Sequence, residues 1–293
     1  MKRRIITMLS VLLSALCMTV ALVACGDKGG EAEQDGALLF TLNAGGKSYS
    51  VSAAEAREAT GSVVIPASFK GKPVTAIGED GFGWCDGLTA VTIPNSVTSI
   101  EWNAFAGCEG LTSLEIPESV TTIGEDAFAN CTALESVAFG KNSKLETIAD
   151  EAFVRCNTLT TIALPNGLKS IGQRAFQECT VLSSIVLPNS VTALGEQAFL
   201  KCWNLQSVTL STGLKTIEFE TFSESGLKAI TIPSGVTKIG ERAFARCNNL
   251  ESATFAQSNR WEARGDTIKV NENLSWNANY LTSDYVNEVW TRI

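Results

Sequence analysis

Phenylalanine returns through this chain at nearly constant spacing: Phe82, Phe105, Phe128, Phe153, Phe176, Phe199, Phe222 and Phe244, in steps of 23, 23, 25, 23, 23, 23 and 22 residues. A period in the low twenties is too short for a domain and too long for a heptad. Each unit is therefore one coil of a solenoid, burying its apolar side only against its neighbours. This regularity overrides the expectation of one or two globular domains for 293 residues.

The segment from Leu88 to Cys108 shows how a coil is built. Val91 and Ile93 alternate with Ala90 and Thr92, the period of a strand with one buried face. Pro94 has no amide hydrogen and stops the ladder, and Pro117, Pro165, Pro188 and Pro233 repeat the stop. Asn95-Ser96, Asn166-Gly167 and Asn189-Ser190 supply the turn that follows. A second extended piece, Val97 to Ile100, leads into an expected turn of helix carrying Ala104 and Phe105. The buried set recurs at Val120, Ile123, Phe128 and Leu134, then at Leu168, Ile171, Phe176 and Leu182, and last at Val236, Ile239, Phe244 and Leu250. The two irregular steps, near Phe139–Leu145 and Phe222–Leu227, fall in turns, where a solenoid tolerates insertion and deletion.

Ile123-Gly124-Glu125-Asp126-Ala127-Phe128-Ala129-Asn130-Cys131 resembles the unit of BspA-like leucine-rich repeats, in which a Leu-x-x-Val-x-Ile-Pro strand precedes Val-x-x-Ile-Gly, Ala-Phe and Cys. Concatenated copies carry the resemblance over about residues 61–255. It implies a right-handed leucine-rich-repeat solenoid of short parallel strands with short helical or extended turns, β-rich with some α content. It also implies exposure on a bacterial surface and adhesion to host or neighbouring-cell proteins. The expected organisation is a cap hairpin over 37–65, repeats over 66–255 and a C-terminal cap over 256–293, because open solenoid ends expose a strand edge and apolar core.

The amino terminus reads as an export signal. Lys2-Arg3-Arg4 precedes a long apolar stretch that ends in Leu22-Val23-Ala24-Cys25, which resembles the bacterial lipobox. The resemblance implies cleavage after residue 24 and lipid attachment at Cys25. An ordinary secretory signal and an uncleaved anchor are the alternatives. Gly26-Asp27-Lys28-Gly29-Gly30-Glu31 then opens a flexible linker over 25–36. The expected location is the outer face of a bacterial membrane.

Composition removes whole classes of function. Histidine is absent, which excludes Ser-His-Asp and Cys-His catalysis and the imidazole ligands of most catalytic zinc sites. The net charge is −8, with no cluster of Lys and Arg for a nucleic-acid backbone. No metal, cofactor or catalytic motif is expected, and the chain reads as a non-enzyme that binds an extracellular protein, a monomer being favoured. A structural or self-assembling surface protein is the second reading. A carboxylate-based hydrolase using Glu125-Asp126 and Asp150-Glu151 is a remote third.

Cys85, Cys108, Cys131, Cys156, Cys179, Cys202 and Cys247 each stand three residues after a repeat Phe. Equivalent positions on adjacent coils lie about 4.7–4.9 Å apart with parallel side chains, against about 3.8 Å between the Cβ atoms of a disulfide. Buried free thiols are expected. Outward strand positions such as Thr89, Thr112, Thr160, Ser183 and Gln206 form a smooth polar face, readable as a contact surface or as ordinary soluble strand positions. Trp84, Trp102, Trp203 and Phe219 replace polar residues of the repeat and are candidate partner anchors, or else local packing against the caps. Arg264-Gly265-Asp266 resembles the integrin-recognition tripeptide, and Gly between charges is also ordinary hairpin chemistry.

Overall fold

The computed structural model describes residues 31–257, 260–270 and 274–293. The expected signal segment and the lipid site Cys25 lie outside the described residues. The chain winds into a parallel β-solenoid whose coils have three sides. On the first, strands such as Ser113–Ile116, Ser136–Phe139 and Thr161–Ile162 pair in parallel, with Val137 opposite Leu114 and Ile162. On the second, the two-residue strands Ser99–Ile100, Thr122–Ile123, Thr147–Ile148, Ser170–Ile171 and Ala193–Leu194 stack in one sheet, isoleucine or leucine always opposite its equivalent. Like therefore meets like throughout the interior, as an alternating pattern repeated in phase requires.

The third side corrects the expected turn of helix. Residues two before and two after each repeat Phe have left-handed backbone, for example Asp126 (φ 54°) and Asn130 (φ 58°), or Arg174 (φ 54°) and Glu178 (φ 59°). A helix returns each N–H to its own carbonyl four residues back. Here Asp126, Phe128 and Asn130 instead donate to the carbonyls of Asp150, Ala152 and Val154 on the next coil, at 3.1, 2.8 and 2.8 Å. The side is a run of turns forming a third ladder between coils, and the only α-helix among the described residues, Leu274–Asn279, lies in the C-terminal cap. Behind this ladder the eight phenylalanines are buried and form one column, with ring centroids 5.2–5.5 Å apart and planes within 15° of parallel.

Both ends continue the second-face sheet with antiparallel strands. At the N-terminal end Tyr49–Ala53 joins it in parallel, followed outward by Leu38–Leu42 and then Ala32–Asp35. The last strand lies inside the stretch expected as a flexible linker. It is ordered because Gly36, at φ 60°, closes a tight turn that brings Ala32–Asp35 back against Leu38–Thr41, which sequence composition alone hides.

The C-terminal cap meets each side of the last coil with a different element. Trp290–Arg292 pairs with Lys238–Ile239 on the second face and carries the hairpin of Arg260–Ala263 and Asp266–Lys269. The Leu274–Asn279 helix covers Ser252–Phe255 on the first face, where buried Asn277 donates to the Ala253 carbonyl at 3.0 Å. Val286 accepts from the Arg242 N–H on the turn side at 2.7 Å. Trp261 and Trp290 are buried beside Phe255 and close the interior.

Candidate binding surface

The interior contains little chemistry beyond packing. All seven repeat cysteines are buried and free. Six of the thiols donate to the carbonyl of the Phe one coil back, at 3.0–3.3 Å, as Cys131 does to Phe105 and Cys202 to Phe176. Burial pushes the thiols of Cys108, Cys156 and Cys202 up to about 12 and that of Cys247 up to about 11, so none is a nucleophile near neutrality. Among the described residues no cluster of three or more His, Cys, Asp or Glu is placed to hold a metal ion.

The turn side carries charge in vertical rows. Arg174 pairs with Glu151 at 3.1 Å and donates to Gln197 at 2.7 Å, Gln197 donates to Glu220, and Arg242 approaches Glu220 at 3.8 Å. In the parallel row Glu178 lies between Arg155 and Lys201, and Arg246 meets Glu224. Burial opposes ionisation of Glu178, but the hydrogen bonds from Arg155 and Gln177 outweigh it and hold the carboxyl below its usual range. Acids on this side are thus largely neutralised by neighbouring coils.

The second face is different. Its outward positions form an open groove of about 650 Å³. The floor is made by Gly172 and Gly195 and by small residues such as Thr147, Ser170 and Ala193. A Cβ on Gly195 would lie 2.4 Å from the backbone of the preceding coil, so close coil approach keeps the floor bare. Glu125, Asp150, Glu196 and Glu218 line it. Among the described residues none of these four carboxylates has a Lys or Arg within ion-pair distance. The repeat-long first face is smooth: Thr89, Thr112, Thr160, Ser183 and Gln206 are exposed, as are their neighbours Ala90, Ser113, Thr161, Ser184 and Ser207.

The four aromatic candidates are separate sites. Among the described residues the ring contacts lie in the Phe column and the two caps, and none joins Trp84 to Trp102 or Trp203 to Phe219. Trp84, 46% exposed and at φ 61°, lays its ring over Gly107 of the next coil, where an added Cβ would be 2.3 Å from it; this is local packing. Trp203 is the most exposed at 57%. Trp102 is 44% exposed. The Asp126 carboxyl is pushed upward by burial and then by the charges of Glu151 and Glu125. Phe219 is half-buried. Trp102 and Phe219 occupy the same column as Glu125, Asp150 and Glu196. In that register Glu101-Trp102 and Glu218-Phe219 stand where other coils have Gly124-Glu125, Ala149-Asp150, Gly172-Gln173 and Gly195-Glu196.

Arg264 and Gly265, at φ 54° and 81°, form the two-residue turn of the cap hairpin, the primed geometry that suits a right-handed strand twist. Its charges are engaged within the chain: the Arg264 guanidinium donates twice to Glu288 at 2.9 and 2.7 Å, and Asp266 accepts from the Tyr285 hydroxyl at 3.2 Å.

Residues 62–165 and 146–261 match the BspA type leucine rich repeat region, in six copies. Among solved structures, the chain is similar to a leucine rich cell surface protein of Faecalibacterium prausnitzii A2-165, at 28% identity and a TM-score of 0.60, over 83% of this chain and 59% of that one. It is also similar to a leucine rich repeat protein of T. pallidum, at 28% identity and a TM-score of 0.55, over 72% of this chain and 86% of that one. A leucine-rich repeat protein from Bacteroides ovatus ATCC 8483 shares the fold at 23% identity and a TM-score of 0.51, over 77% and 71%. The chain thus spans less than two thirds of the Faecalibacterium protein's length. No curated protein matches it.

Proposed function

The chain belongs to the BspA type leucine-rich repeat family, and from that premise we propose that it is a lipid-anchored bacterial surface protein that binds extracellular proteins, an adhesin for host matrix or neighbouring cells. The observation that carries this reading is the division of every coil into a sealed interior and a long regular exterior. Inward positions from Leu88 to Ala253 are buried, with Val91, Phe139 and Leu164 half-buried, while the outward positions of the first face remain exposed from coil to coil. A surface of this kind suits a large partner better than a small substrate. The Faecalibacterium relative bears the description of a cell surface protein, which supports the same location for this one. The carboxylates stand in columns on two adjoining sides, whereas glycoside hydrolysis needs a pair facing each other across a cleft, which speaks against catalysis. Antiparallel strands close both ends of the second-face sheet, which disfavours the self-assembling alternative by end-to-end stacking.

The test expresses the full chain in a bacterium with an alkyne-tagged fatty acid, and measures labelling and adhesion to immobilised matrix proteins and cells. Wild type takes up label and adheres; Cys25→Ser loses both label and membrane association. An unlabelled wild-type protein removes the lipid anchor, and cells that adhere no better than those without the chain remove the adhesin.

A further inference from the structure

The unpaired acids of the second face point to what lies against it. On the turn side, carboxylates such as Glu151, Glu178, Glu220 and Glu224 have cations from adjacent coils within 4 Å. On the second face Glu125, Asp150, Glu196 and Glu218 line a groove without one, although both rows belong to the same repeats. Glu218 accepts from Thr216 at 2.5 Å, and Asp150 accepts from the Gln173 N–H at 2.7 Å; both are held in place with their charge uncompensated. At the opposite edge Lys169 is already paired with Glu146 at 2.6 Å. One coil beyond Glu125 and one coil beyond Glu196, the same column continues with Trp102 and Phe219.

We propose that this groove docks an extended, Lys- and Arg-rich segment of a partner polypeptide. The inference rests on the protein-binding role above and assigns it a face and a partner chemistry. Charge complementarity selects the occupant: four carboxylates without cationic partners favour cations, and the exposed indole of Trp102 and the half-buried ring of Phe219, next in the same column, are surfaces on which guanidinium and ammonium groups stack. Shape selects an extended chain. From the Phe128 coil to the Phe222 coil the rise is four ring-to-ring steps of 5.2–5.5 Å, a length that extended backbone at about 3.3 Å per residue crosses in about six or seven residues. The floor of glycine and small side chains lets a backbone lie close. The neutral Gln173 at mid-groove, between Asp150 and Glu196, accommodates small residues at the centre of the segment and cations toward its ends.

The experiment measures fluorescence anisotropy of labelled peptides of about nine residues, one alternating Lys with Ser and one alternating Glu with Ser, against the purified chain at about 0.05 M and about 0.5 M salt. The basic peptide binds, the acidic one does not, and high salt weakens the complex. Combined Glu125→Gln, Asp150→Asn and Glu196→Gln lowers affinity about ten-fold. A charge-matched control on the first face, Glu115→Gln, Glu135→Gln and Glu251→Gln, changes it less than about two-fold. Trp102→Leu weakens binding of an Arg peptide more than of a Lys peptide. All substituted side chains are solvent-accessible, and unchanged melting curves verify the fold. Equal loss in the two triple variants, or equal binding of the two peptides, overturns the groove. If the groove variant still adheres to cells as wild type does, this inference falls and the adhesin stands; if wild type itself does not adhere, the adhesin falls.

Discussion

At the residue scale, the cysteine column shows how a side chain can be legible in position and illegible in role. Spacing from the Phe places each thiol inside the coil and its sequence neighbours make it apolar filler. What spacing does not carry is the direction of the S–H, which points at the Phe carbonyl one coil back and gives that oxygen a second donor besides its own coil's Cys N–H, as at Phe105 with Cys108 and Cys131. The neutral thiol is therefore the working form, and alkaline pH should test it. In the unfolded chain a thiol ionises near 8.5, while burial holds Cys108, Cys156 and Cys202 up to about 12. Between those values the unfolded state has lost protons that the folded state keeps, so stability is full below the unfolded value and falls as pH rises toward the folded one. Each thiol contributes a slope of up to about 1.4 kcal/mol per pH unit. Melting temperature should decline steeply from about pH 9 upward, and the combined Cys108→Ser, Cys156→Ser and Cys202→Ser variant should show a shallower decline. Equal slopes would mean that the column does not control alkaline stability. Serine is the conservative choice because Ser225 already occupies the slot in the short coil, buried and 3.3 Å from the Cys247 sulfur.

At the element scale, the phenylalanine column and the caps make separable demands. Phe176 sits mid-column between Phe153 and Phe199 at 5.4 Å from each, fully buried. Phe176→Ala should cost about 3–5 kcal/mol because neighbouring rings on both sides prevent the cavity from closing, readable as a lowered urea midpoint; Phe176→Leu should cost less. The C-terminal cap stabilises by covering rather than by filling the repeat. A chain ending at residue 256 would uncover the edge at Lys238–Ile239 and the apolar end around Phe255. In size-exclusion chromatography with light scattering it should self-associate, and the full chain should elute as a monomer. Strands were readable because a two-residue period and a proline stop are local signals. The turn side was not, because alternating Ala and Phe before a Cys fits a helical turn equally well in one coil. Only the next coil, by accepting the N–H groups of Asp126, Phe128 and Asn130, decides for left-handed turns. The same holds for the groove: Glu125 and Asp150 are ordinary exposed acids one at a time, and become a lined face only when register sets them side by side without cations.

For the whole molecule, the solenoid behaves as a stack in which each coil is defined by its neighbours, so register matters more than length. Removing residues 163–185 joins Ile162 to Val186, two points in the same phase of the repeat, and takes out one complete period with its Phe176 and Cys179. Ile162 then stands where Ile185 stood, and every buried column closes up by one step. Such a chain should fold with a single cooperative transition and a melting temperature only a few degrees lower, since a stack loses about one coil and one interface in stability. Removing residues 163–173 instead breaks the phase: the apolar set that follows would face solvent, the Phe column would lose its continuity, and circular dichroism should show no cooperative transition. The pair of deletions separates a structure held by nearest neighbours from one held by a unique central core, which would tolerate neither. The in-phase deletion also shortens the second-face groove by one ring-to-ring step of about 5.4 Å and removes the neutral Gln173, bringing Asp150 next to Glu196. Its preferred basic peptide should then be one to two residues shorter, at about 3.3 Å per residue, and should no longer need small residues at its centre. An unchanged length preference on the shortened stack would place the peptide somewhere other than along the coil axis.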